Sequence, residues 1–164
     1  MSFLATFVRW LGTLSAWLTA VMVLLTVLIV LLRYAFGTGA IALQESVVYA
    51  HAIVIALGLA YTLQTDGHVR VDLFYARWSP RVQALVDLVG HCIFLLPVCI
   101  AMVYLSIDYV AASWRILEGS PEVGGLPAIY LLKTLIPVSA VLLLLQGLVQ
   151  IVTTATRLVR GETA

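Results

Sequence analysis

Charge is scarce in this chain. Of its 164 residues, nine are Lys or Arg and eight are Asp or Glu, so charged residues make up 10% against 63% hydrophobic, and mean hydropathy is +1.10. A soluble domain uses about 25% charged residues; a chain this oily is an integral membrane protein. Basic runs are absent too, which with a net charge of +1 excludes nucleic acid as a partner. Cysteine is limited to Cys92 and Cys99, and seven residues along a helix separate two Cα atoms by about 10 Å, beyond the ~7 Å that a disulfide tolerates. They read as apolar filler. No Cys-x-x-Cys and no His/Cys cluster is present, so no metal or other cofactor is expected. The apolar run at 11–32 exceeds the 7–15 residue core of a cleaved leader and lacks a small-x-small site after it. It is expected to remain as a membrane helix.

What the chain does have is four apolar runs near the ~20 residues that a spanning helix needs: 11–32, 44–64, 83–106 and 133–155. The fold expected is therefore all-α, a single membrane domain over 1–164 with four transmembrane helices and both termini on one side. Arg9, Arg70, Arg77, Arg81, Arg157 and Arg160 fall on one face and Arg33, Arg115 and Lys133 on the other. The positive-inside rule then puts both termini and loop 65–82 in the cytoplasm and loop 107–132 in the periplasm. Val71, Phe74, Tyr75 and Trp78 recur at i, i+3, i+4, i+7, the pattern of a short interfacial amphipathic helix, and Ser79-Pro80 reads as N-cap and first helical residue. A continuous helix over 80–115 would be about 54 Å long against a ~30 Å hydrocarbon core. It must tilt, bend at Pro97 or project. Residues 128–136 are expected to approach the membrane obliquely, with the last span starting properly around Lys133 to Pro137.

The polar break Asp66-Gly67-His68-Val69-Arg70-Val71-Asp72 divides the chain. Its plain reading is structural, with Gly67 ending the second span in a left-handed conformation and Arg70 paired with Asp66 or Asp72 at the headgroups. Its functional reading has His68, Arg70 and Asp72 fixing the loop against a partner subunit or anionic membrane lipid. Glu45 opens the second span, either as a solvated acid favoured by the helix dipole or as half of an ion pair, within the chain or across a subunit interface. Arg33-Tyr34 suits the outer interface. Ionisable groups inside a span are functional candidates by default: His51, Asp87 and His91, with Gln146 and Gln150 as polar companions. His51 and His91 raise bis-histidine haem ligation in an electron-transfer subunit, but their expected depths differ by roughly 8 Å. Neither a mid-membrane coupling carboxylate nor a repeating polar ring is apparent.

The ordered series of motifs resembles a known family, the small membrane (Q) subunit of tripartite ATP-independent periplasmic (TRAP) transporters. The matching features are Arg33-Tyr34 with Phe36-Gly37, Gln44-Glu45, the Asp66 to Asp72 motif with Phe74-Tyr75, Ser79-Pro80-Arg81, Gly119-Ser120-Pro121, Gly124-Gly125-Leu126-Pro127, Lys133, Ile136-Pro137 and Leu145-Gln146-Gly147. The pattern is most similar to the branch labelled for mannitol or chloroaromatic compounds. The resemblance implies a bacterial inner-membrane, non-enzymatic scaffold subunit. Its partners would be a large multi-span membrane subunit and a periplasmic solute-binding protein, importing an organic acid or related solute on a sodium or proton gradient. Arg33, Tyr34, Glu45, Asp66, Gly67, His68, Arg70, Asp72, Gly125, Leu126, Pro127 and Pro137 are thereby candidates for structure or partner contact, none of them catalytic or substrate-binding.

Overall fold

A computed structural model describes residues 2–68 and 75–161, the side chains of residues 2–4 excepted. All regular structure among them is helical: α1 (Ser2–Phe36), α2 (Ile41–Gln64), α3 (Pro80–Gly90), a π turn (His91–Leu95), α4 (Leu96–Arg115) and α5 (Ile129–Arg160). Four stretches are long and apolar enough to cross a membrane, namely Ala5–Phe36, Ile41–Gln64, Pro80–Arg115 and Ile129–Arg160. They outrun the hydropathy-defined spans because a helix need not stop where hydrocarbon stops.

The helices form an open row. α1 packs on α2, α2 on α5, and α5 on the α3–π–α4 unit. The outer members are barely covered, 6% of their most apolar window being buried against 22% for α2 and α5. Gln64 Nε2 donates to Ala5 O at 3.1 Å, so the end of α2 meets the start of α1, and Gln150 Nε2 donates to Leu63 O at 3.1 Å, so α2 and α5 run parallel. Trp114 near the end of α4 bonds Thr134 near the start of α5. Both termini therefore share one end of the row, here the terminal end, opposite a loop end built from 37–40 and 116–128.

Small residues make this packing possible. Lipid is as apolar as leucine, so helices in a membrane associate through close approach rather than through hydrophobic exclusion. Most buried positions are accordingly small, among them Ala50, Ala56, Ala60, Cys99, Ser106, Ser113, Ser139 and Ala140, with Val8, Leu11, Leu63 and Gln146 the larger ones. A Cβ on Gly12 would come within 2.5 Å of the Tyr61 ring, and one on Gly147 would collide with Leu95. These two sockets seat α2 on α1 and the π turn on α5. Several hydroxyls within the spans bond carbonyls one turn back, as Ser15 does to Leu11 O at 2.9 Å and Thr62 to Gly58 O at 2.8 Å, so these ask lipid for no partner.

The helix breaks differ from several expectations. At the end of α2 the left-handed residue is Asp66, φ 57°, rather than Gly67. Gly67 N–H donates to Thr62 O at 2.8 Å and Asp66 N–H to Leu63 O at 3.4 Å, the paired bonds of a Schellman cap. Aspartate tolerates that conformation better than most residues, while a Cβ on Gly67 would only graze Thr62 Cγ2 at 3.3 Å. Ser79 is extended and precedes Pro80 as expected, but its hydroxyl makes no cap; Gln83 Nε2 instead reaches back to Tyr75 O and Trp78 O at 3.0 and 3.2 Å. Pro97 does not break its helix. The π turn just before it lets Leu96 N–H reach His91 O, widening the spiral where the proline ring would crowd a carbonyl. α5 starts at Ile129 and carries Pro137 inside. The proposed pairing of Arg70 and most of the amphipathic segment fall at 69–74, outside the described residues; beyond them Trp78 N–H closes a single turn onto Tyr75 O at 3.1 Å.

Candidate functional site

The polar groups collect at the two ends of the row. At the loop end the centre is Glu45, fifth residue of α2, half-buried under the 116–128 loop. Its two carboxylate oxygens are divided. Oε1 accepts the hydroxyl of Ser120, and Oε2 accepts Leu126 N–H at 2.6 Å. Ser120 Oγ in turn accepts Glu122 N–H at 3.1 Å, Ser120 N–H donates to Leu126 O at 2.9 Å, and Gly125 N–H donates to Glu122 O at 3.0 Å. The loop is thus folded around one carboxylate, with hydroxyl and amide donors where an ion pair would place a cation. Gly125 must be glycine because a Cβ would strike Ser120 and stand 2.7 Å from Glu45 Oε1, and Gly119 lies against Pro127.

Beside this knot, Lys133 of α5 bonds Glu118 at 2.5 Å and lies 4.2 Å above the Tyr109 ring. The Lys133 ammonium holds the Glu118 carboxyl below its ordinary range. Trp114 meets Tyr130 edge-on at 4.6 Å and donates to Thr134 Oγ1 at 2.8 Å. The loop end therefore joins α2, α4 and α5 through charged and aromatic groups with partners inside the chain.

The terminal end is more open. A cavity of about 790 Å³ lies between the end of α2, the α3–π–α4 unit and α5, with apolar walls such as Phe94 and Leu143 and a mouth at Asp66, His68 and Asp87. A polar cavity of about 500 Å³ adjoins it, adding Gln83, Gln150 and Arg157. Tyr75 donates its hydroxyl to Asp87 Oδ2 at 2.8 Å, and His91 Nδ1 approaches Asp87 O at 2.6 Å, so that nitrogen carries the proton.

Of the residues singled out in the sequence, Glu45, Gly125, Leu126 and Pro127 come together in the loop-end knot. Asp66, Gly67 and His68 cluster at the terminal end; Arg70 and Asp72 lie outside the described residues. Arg33 and Tyr34 stand apart at the exposed end of α1, Tyr34 being 82% exposed, and Pro137 is part of the α5 shaft. Gln146 is buried in the row. His51 and His91 do not share a site. His91 lines the cavity with Leu63, twelve residues along α2 from His51, or about 18 Å, too far for one haem iron. No group of three or more potential metal ligands occurs among the described residues. Sequence reading missed the Glu118–Lys133 pair and the Trp114–Tyr130–Thr134 cluster; opposite charges and paired aromatics flanking one acidic loop were the available signal.

Comparison with known proteins adds one finding. The model of the family described as tripartite ATP-independent periplasmic transporters, DctQ component, matches residues 22–157. No curated protein and no solved structure matches the chain.

Proposed function

Since the chain belongs to the DctQ component family of the tripartite ATP-independent periplasmic transporters, we propose that it is the fixed scaffold subunit of a transporter that imports an organic acid or related solute on a sodium or proton gradient. It is a multi-pass inner-membrane transport subunit rather than an enzyme. The proposed partners are a large multi-span membrane subunit, which would hold solute and ion and make the transport movement, and a periplasmic binding protein that delivers the solute. One observation carries the scaffold reading. A row one helix thick, packed in the order α1, α2, α5, α4, holds no second bundle or repeat for its cavity to alternate against, whereas alternating access works through a midplane site between repeats or bundles. The loop end is proposed to face the periplasm, in line with the six-to-three Lys/Arg asymmetry.

The test is reconstitution into liposomes under an imposed sodium or proton gradient, comparing this subunit alone, this subunit with its large partner, and both with the binding protein added. Uptake is expected only with the full set. Gradient-driven uptake by this subunit alone would refute the scaffold role. Orientation is read separately by Val123→Cys, a position 92% exposed on the loop, in a background lacking Cys92 and Cys99. Labelling is expected from the periplasmic side, and labelling from the cytoplasm alone inverts the topology.

A further inference from the structure

Most of the exposed surface is uniformly apolar, as lipid requires: on α1 it includes Val23, Leu24 and Val27, and on α5 Val141, Leu145, Leu148 and Val152. α2 differs. Gln44, Val48, His51 and Ile55 are exposed at i, i+4, i+7 and i+11, one narrow stripe. The stripe continues to Gly58, where a Cβ would meet nothing within 4 Å, and lies across the helix from buried Ala56 and Ala60.

His51 is ten residues from the start of the 24-residue α2, so it stands about 15 Å along a helix of about 36 Å. That is close to mid-membrane, and a histidine side chain is far too short to reach either headgroup layer from there. No hydrogen bond from a described residue reaches its ring. A polar ring without a partner in hydrocarbon is costly, and ionisable residues at such depth face protein rather than lipid. None of the described residues supplies that protein.

We propose that the Gln44, Val48, His51 and Ile55 stripe is the face on which the large membrane subunit docks, with Gly58 admitting a close helix approach. The partner helix carries a hydrogen-bonding group level with His51: a hydroxyl, a carboxamide, a carboxylate or an open backbone carbonyl. This inference rests on the scaffold reading above and adds to it the face and the contact.

The experiment places a photoreactive residue at Val48, His51 or Ile55, and as controls at Leu24 on α1 and Leu105 on α4, in the complete transporter with an epitope tag on the large subunit. Tagged adducts are expected from 48, 51 and 55 and not from the controls. Adducts from the controls alone would move the docking face and leave the scaffold reading standing, while failure of the tagged subunit to co-purify with the unmodified chain would remove the scaffold reading itself. An adduct of two copies of this chain from 48, 51 and 55 would reassign the stripe to self-association. His51→Leu is expected to lower the co-purifying large subunit about threefold, the size of one interhelical hydrogen bond in a membrane, and His51→Asn to retain it. Unchanged co-purification of His51→Leu would overturn the polar contact.

Discussion

The two ends of the helix row differ in how openly they hold their polar groups. At the loop end, Glu45, Glu118 and Lys133 find partners among the hydroxyls, amides and rings of their own chain. At the terminal end, Asp87 likewise accepts the Tyr75 hydroxyl, but with Asp66 and His68 it also lines a cavity that opens outward. A single layer of helices has too little buried volume for an apolar core to fix its shape, so the loop end supplies rigidity through polar bonds while the other end stays open. Interhelical order in this protein is set by a handful of hydrogen bonds and glycine sockets.

The largest effect should come from Glu45→Ala, which removes both acceptors of the loop at once. The 116–128 segment should become open to protease and the yield of assembled transporter should fall sharply. A loop still resistant in that variant would mean that the aromatic cluster, and not the carboxylate, holds it. Next in size is a matched pair of glycine replacements. Gly125→Ala drives a methyl group into Ser120 and Glu45 and should cost about 1–3 kcal/mol, the usual range for overpacking. Gly67→Ala at the opposite end only grazes Thr62 and should stay within about 0.5 kcal/mol. Thermal unfolding of both variants in detergent measures the contrast, and a reversed order would invert the comparison of the two ends.

The smallest effect concerns pH. Because the folded carboxyl of Glu118 is held below its ordinary value of 4.5 by Lys133, its contribution is fully present above pH 4.5 and disappears as the pH falls through the lowered folded value. Trp114 fluorescence, with Trp10, Trp17 and Trp78 replaced by Phe, should be flat from pH 8 to 5 and shift only in stronger acid. A transition near neutrality would show that another group controls the loop end.

Span number and helix content were legible because length and hydropathy alone determine them. The order of the helices in the row was not, since lipid levels the contrast between inner and outer faces that a soluble helix displays. Glu45 was legible as a residue of interest but not as a loop anchor, for its partners Ser120 and Leu126 lie 75 and 81 residues away. Asp66 was passed over for Gly67 because glycine is the commoner left-handed residue, but the paired bonds Asp66 N–H to Leu63 O and Gly67 N–H to Thr62 O set the left-handed turn one residue earlier. His51 was read for its chemistry when its exposure was the telling property.

The π turn at His91–Leu95 amounts to one extra residue threaded into an otherwise regular spiral, and it rotates everything after it by about 100° relative to everything before. Cys99, 1% exposed, meets its neighbours because of that rotation. Deleting a single residue within 91–95 would restore an unbroken α-helix and leave the α4 shaft facing α5, whereas a one-residue deletion within 96–115 would turn everything after it by about 100°, so the third span should tolerate a change in length at the π turn and nowhere after it.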